Sequence, residues 1–153
     1  MDNERHLARP SSENIERLRQ IVHLLIRSFL VSGRAGLPAE GKLPFNPLYF
    51  HLLGYLREHG ATRPSHLAEV LDVAKTTVST ASSALQKRGL LHKLSDPDDG
   101  RAHLLTLTED GSVVAQSIYR QDIANMKLLL EQLDQSQHNA LLDQLEQVVS
   151  GIS

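Results

Sequence analysis

Apolar positions first recur at spacings of three and four between Ser12 and Val31: Ile15, Leu18, Val22, Leu25 and Phe29. That period predicts an amphipathic helix. Ser11 or Ser12 can cap its first turn, Glu13 and Glu16 suit the positive end of its dipole, and Gly33 and Gly36 stop it. Residues 32–44 hold Gly33, Gly36, Pro38, Gly41 and Pro44, the composition of a loop. A second helix begins sharply, with Asn46 as cap and Pro47 at the first helical position. Phe45 and Phe50 are placed for a hydrophobic staple. Leu48, Leu52, Leu53 and Leu56 carry the apolar face to Gly60.

The next stretch changes period twice. Pro64 opens a short helix through Leu67, Ala68 and Leu71, and Asp72-Val73-Ala74 makes a tight connection. A further helix runs from about Lys75 to Arg88, with Val78, Ala81 and Leu85 inward and Gly89 ending it. Two short helices joined by such a turn form a helix-turn-helix pattern. The period then falls to two. Leu90 to Ser95 and Ala102 to Leu107 read as strands, joined by Asp96-Pro97-Asp98-Asp99-Gly100-Arg101. A β-hairpin placed there is a wing. Thr108 caps a long helix with Glu109 and Asp110 in its first turn and Val114, Ile118, Met126, Leu130 and Leu133 on its apolar side. Asp134 and Gln137 form a capping box for a last helix lined by Leu141, Leu142, Leu145, Val148 and Val149. The expected fold is mainly α with a small β-hairpin: a winged helix-turn-helix with long terminal helices.

Composition narrows the functional classes. The 153 residues suit one domain, or one domain with a helical extension. Hydrophobic residues make up 41% and aromatics 4%, with no Trp, so the core must be aliphatic. The absence of Cys excludes disulfides, thiolate metal sites and a thiol switch within the chain. No apolar run approaches the roughly 18 residues of a membrane span, and residues 1–10 lack the apolar centre of a signal peptide. The reading is a soluble, cytoplasmic protein with no membrane partner. The sequence shows no P-loop, nucleophile–base motif or paired-carboxylate signature, so neither an enzyme nor a cofactor is expected. Among eight His residues no pair lies at a helical spacing of three or four. His66 and Glu69 share a face and His92 and His103 are candidates to meet across the hairpin, but structural zinc usually needs four ligands, so no metal is expected. A net charge of −2 counts against a broad basic footprint. Any nucleic-acid contact must come from local placement of charge.

Local placement is suggestive. A helix can enter the major groove, where base edges differ in their donors and acceptors. Short polar side chains at its N-terminal end reach those edges, and its N–H groups face phosphate. Lys75, Thr76, Thr77, Ser79 and Thr80 form such a face, with Ser82 and Ser83 further along it. Lys75 is the phosphate candidate, and Arg63 is a candidate backbone contact at the entrance of the preceding helix.

The order of elements resembles the MarR family, and so do local motifs. These are Ser65-His66-Leu67-Ala68-Glu69, Lys75-Thr76-Thr77-Val78-Ser79, Leu85-Gln86-Lys87-Arg88-Gly89-Leu90-Leu91, the wing 96–101, and Leu104-Leu105-Thr106-Leu107-Thr108-Glu109-Asp110-Gly111. The specific part spans about 62–111. The resemblance implies a transcriptional regulator, most often a repressor, that binds double-stranded DNA at a palindromic operator as a homodimer. It places Arg101 of the wing against the backbone or in the minor groove, with Asp99 orienting it. It also implies release by a small aromatic or phenolic acid, for which His23, Arg27, His51 and Tyr55 are the candidate lining; an Arg there suits a carboxylate. Residues 1–44 would then be a dimerisation helix and loop, 45–111 the DNA-binding region, and 112–153 dimerisation helices. Three departures stand out. Ala74 replaces a capping Ser, Thr80 and Ala84 stand where Arg is common, and Asp96, Asp98 and Asp99 crowd the wing with negative charge. They favour a second reading, a winged-helix protein-interaction module that does not use DNA.

Overall fold

A computed structural model describes residues 9–32, 43–44 and 46–152. The expected loop glycines and the Phe45 half of the staple lie outside the described residues. The chain divides into two units, Met1–Ala35 and Gly36–Ser153.

The first unit contains α1, Ser12–Ser32. Ser11 is the residue that caps it, its Oγ accepting from the Asn14 N–H at 3.1 Å. Along α1 Arg19 donates twice to Glu16, at 2.8 and 2.7 Å, and Gln20 donates at 2.9 Å. These bonds, that of Arg19 first, hold the Glu16 carboxyl below its usual range. The stripe residues Ile15, Leu18 and Val22 are exposed, together with Ile21, Leu24 and Ile26.

The second unit runs α2 (Pro47–His59), α3 (Pro64–Val70), α4 (Lys75–Lys87), β1 (Leu91–Ser95), β2 (His103–Leu107), α5 (Glu109–Leu130) and α6 (Gln135–Ile152). Asn46 caps α2 as its sequence predicts, accepting from the Leu48 N–H at 3.0 Å. Leu52, Leu53, Leu67, Val78, Leu85, Leu90 and Leu105 are the fully buried centre of the core. Val114, Ala115 and Ile118 of α5 complete it. Apolar residues three to four apart on the helices thus meet Leu91 of β1 and Leu105 of β2, and burial of each large side chain contributes about 1.5–3 kcal/mol.

The expected caps of the last two helices are present. Thr108 Oγ1 accepts from the Gly111 N–H at 2.9 Å and donates to the Gly89 carbonyl at 2.6 Å. Asp134 and Gln137 form the reciprocal box, with the Asp134 N–H on Gln137 Oε1 at 2.9 Å and the Gln137 N–H on Asp134 Oδ1 at 3.0 Å. None of the residues of α6 is buried.

β1 and β2 pair antiparallel, with Leu91 opposite Leu107 and Ser95 opposite His103. His92 therefore faces Thr106, and His103 sits at the other end of the ladder. The two histidines do not meet, because their positions fall in different rungs of the register.

Candidate nucleic-acid interface

The helix-turn-helix is α3, the turn 71–74 and α4. Asp72 takes a left-handed conformation (φ 49°), which Asp tolerates better than most residues. The Val73 N–H then returns to the Ala68 carbonyl at 3.0 Å and closes the turn. Val78, Ala81 and Leu85 lock the inner face of α4 into the core. Ser82 joins them: it is buried, its Oγ donating to the Ser79 carbonyl at 3.1 Å, so it leaves the polar face that its sequence position suggested.

The opposite face is open. Lys75, Thr76, Thr77, Ser79, Thr80 and Ser83 are all exposed. Thr80 spends its hydroxyl proton on the Thr76 carbonyl at 3.0 Å, which leaves its lone pairs outward. Ala74 has the extended conformation of a cap but offers no side-chain bond. The first N–H groups of α4 therefore remain available to an anion at the helix start. A notch of about 330 Å³ lies beside this end, lined by Asn46, Leu48, Tyr49, Thr76, Thr77 and Thr80.

The wing is built by its own acidic residues. The Asp98 N–H donates to Asp96 Oδ1 at 2.9 Å, and the Arg101 N–H donates to Asp99 Oδ1 at 3.0 Å. Asp99 thus shapes the backbone of the tip; it does not hold the Arg101 guanidinium, which is exposed and has no ion pair among the described residues. Asp96 is not part of an open acidic crowd either. It is buried, and Arg63 Nε donates to its Oδ2 at 2.5 Å. That bond first, and the Asp98 N–H next, hold the Asp96 carboxyl below the usual aspartate range against the cost of burial. The same bond pushes the Arg63 pKa up. Of the three acidic residues of the wing, only Asp98 and Asp99 are left exposed, beside the exposed Arg101.

Thr62 adds a fastener that sequence reasoning missed. Its N–H donates to the Leu105 carbonyl at 3.0 Å and its carbonyl accepts from the Leu105 N–H at 2.9 Å. One isolated bridge has no periodicity to betray it.

The four candidate ligand residues do not form one site within either unit. His23 and Arg27 lie on α1, and His51 and Tyr55 on α2. Tyr55 is already engaged: it stacks on His59 with ring centroids 4.0 Å apart, and its hydroxyl lies 3.1 Å from His66 Nε2. It lines a groove of about 660 Å³ with His59, Arg63, His66 and Asp96. His66 and Glu69 do approach, at 3.8 Å, but no group of three or more metal-binding side chains is present among the described residues. No helix among them is long and apolar enough to cross a membrane.

A short helix on a packed helix-turn-helix, followed by a two-stranded ribbon and long terminal helices, defines a winged helix-turn-helix protein. Residues 45–103 match the model of the MarR family. The match takes in the whole helix-turn-helix and the first strand of the ribbon, and the chain shares its fold with solved MarR-family structures. The apo form of wild-type MarR from E. coli superposes with a TM-score of 0.65, at 20% identity, over 92% of this chain and 98% of that one. The transcriptional regulator Tm0710 from Thermotoga maritima gives a TM-score of 0.55 at 27% identity, over 92% of this chain and 95% of that one. Among curated sequences, the uncharacterized HTH-type transcriptional regulator YxaD of Bacillus subtilis (strain 168) is 31% identical over 81 residues. That alignment takes in 53% of this chain and spans little more than half, 57%, of the relative's length.

Proposed function

We propose that this chain is a sequence-specific DNA-binding transcriptional regulator, a repressor that acts as a homodimer on a palindromic operator. One observation carries the reading. α4 is fixed to the core by Val78, Ala81 and Leu85 while Lys75, Thr76, Thr77, Ser79, Thr80 and Ser83 face outward, and Arg101 projects unpaired from the ribbon that follows. Hydroxyls read base edges, Lys75 and the uncapped helix start bind phosphate, and Arg101 reaches backbone or minor groove. Twofold pairing would set two such helices about 34 Å apart, one turn of DNA. The work of such a regulator is done in the cytoplasm, where the operator is. A small aromatic or phenolic acid would release DNA only by favouring one dimer geometry over another.

Titration of the protein against a palindromic fragment and a scrambled duplex over a salt series tests this. Specific binding should weaken steeply with salt. Arg101→Ala should lower affinity about tenfold and reduce the salt slope by about one, with an unchanged melting temperature. An affinity that stays the same in Arg101→Ala across the series removes the wing from the mechanism. Failure of the wild type to bind any duplex at low salt leaves the protein-interaction reading of the fold.

A further inference from the structure

We infer that Arg63 and Asp96 form a latch that positions the wing for DNA, so that Arg63 acts through the wing and not by touching the duplex. This rests on the DNA-binding reading above. Arg63 is the residue that precedes the first turn of α3, and Asp96 is the first residue beyond β1. They are 33 residues apart in sequence, and the Arg63–Asp96 bond ties the entrance of the helix-turn-helix to the tip end of the ribbon, where β1 passes into the turn. The Asp96 side chain is 3% exposed and that of Arg63 is 45% exposed. A carboxylate so enclosed must be paired, and Arg63 is its partner.

Both oxygens of Asp96 are used, for different jobs. Oδ1 shapes the turn through the Asp98 N–H, and Oδ2 holds that turn to α3 through Arg63. The double backbone bond between Thr62 and Leu105 sits beside this latch, one residue before Arg63. A two-stranded ribbon alone is marginal and free to twist. Fastened at mid-strand through Leu105 and at the start of its turn through Asp96, it becomes a stiff arm, and Arg101 lies just five residues beyond Asp96. Stiffness set before binding lowers the ordering cost of docking.

The contact and positioning roles of Arg63 predict opposite signs for Asp96→Asn. This substitution keeps an oxygen for the Asp98 N–H and replaces the charged acceptor that holds Arg63 with an uncharged NH2 donor. If Arg63 touched phosphate, the variant would free a guanidinium and delete a negative charge, and binding would tighten. If the pair is a latch, binding weakens although the protein has become more positive. We expect a loss of about tenfold for Asp96→Asn and for Arg63→Gln, and no further loss in the double variant, since the two residues act as one unit. The salt slope should stay that of the wild type, because no phosphate contact is lost.

Hydrogen exchange at the amides of Thr62, Asp98 and Leu105 reads the latch without DNA. Exchange about tenfold faster in either single variant, with the melting curve still cooperative, supports it. Unchanged exchange overturns the latch. Faster exchange with unchanged or tighter DNA binding overturns the positioning role. Absence of duplex binding by the wild type defeats the DNA reading and the positioning role with it, while the exchange result still decides the latch. If Asp96→Asn does not fold, the salt slope of Arg63→Gln decides, since that variant leaves the turn bond of Asp96 in place: a slope reduced by about one marks a lost phosphate contact and overturns the positioning role, and a wild-type slope supports it.

Discussion

A methyl group placed on Gly111 would lie 1.9 Å from the carbonyl oxygen of Leu90. Helix α5 begins at this point, so the backbone of its first turn rests directly on the chain that enters β1. The same junction carries the Thr108 N–H on the Leu90 carbonyl at 3.1 Å and the Thr108 hydroxyl on the Gly89 carbonyl. Gly89 holds φ at 73°, a conformation that side chains rarely accept. The two glycines therefore have different reasons: Gly89 needs the angle and Gly111 needs the space. Gly111→Ala should destabilise the fold by at least about 3 kcal/mol, since neither backbone can yield without breaking the Thr108 cap. Chemical denaturation checks this, and a loss below about 1 kcal/mol would show that the junction adjusts freely.

At the scale of the element, α4 is where stability and use pull apart. Ala74 already has the extended backbone of a cap (φ −62°, ψ 144°) and is exposed, so a serine there meets no steric cost. Ala74→Ser should raise stability by about 1 kcal/mol by satisfying an orphan N–H of the first turn. The same hydroxyl would compete with phosphate for that N–H, so affinity for DNA should not rise with stability. Paired melting and binding curves read both effects; a gain in neither would mean that water already serves those groups. How far such features were legible in sequence follows their range. Asn46, Thr108 and the Asp134–Gln137 box were readable because the cap and the N–H that donates to it lie within three residues. Val78, Ala81 and Leu85 were readable because burial imposes a period. Ser82 was misread because a small polar residue can hide its hydroxyl on a carbonyl of its own helix. The Asp96–Arg63 bond and the Thr62–Leu105 bridge were not readable, since contacts across 33 and 43 residues leave no local pattern. For the same reason the acidic wing looked like an obstacle to DNA, when one of its three carboxylates is paired inward and another braces the turn.

The whole molecule has more apolar surface than either unit uses. On α6, Leu142, Leu145, Val148 and Ile152 follow one another at spacings of three and four, and all are exposed. Ile123, Met126 and Leu128 on α5 are exposed as well, and the first unit by itself exposes Ile15, Leu18 and Val22 on α1. Soluble monomers rarely leave so much apolar surface open, and a second copy is the occupant that also makes functional sense. One recognition helix contacts too few bases for tight specific binding, whereas a twofold pair doubles them. In the proposed homodimer, with this stripe as its interface, a charge in the middle of the α6 stripe should break the pair before it harms the fold, because the site is open in the single chain. Leu145→Glu should raise the dimer dissociation constant by on the order of a hundredfold, about 3 kcal/mol, through loss of apolar burial and the cost of enclosing a carboxylate. Sedimentation velocity over a concentration series measures the shift, and circular dichroism should show the helices intact. Operator affinity should fall in parallel with the monomer fraction, while weak binding to a half-site duplex persists. A variant that stays dimeric at the wild-type concentration would place the subunit contact away from α6, and the exposed stripe would need another partner.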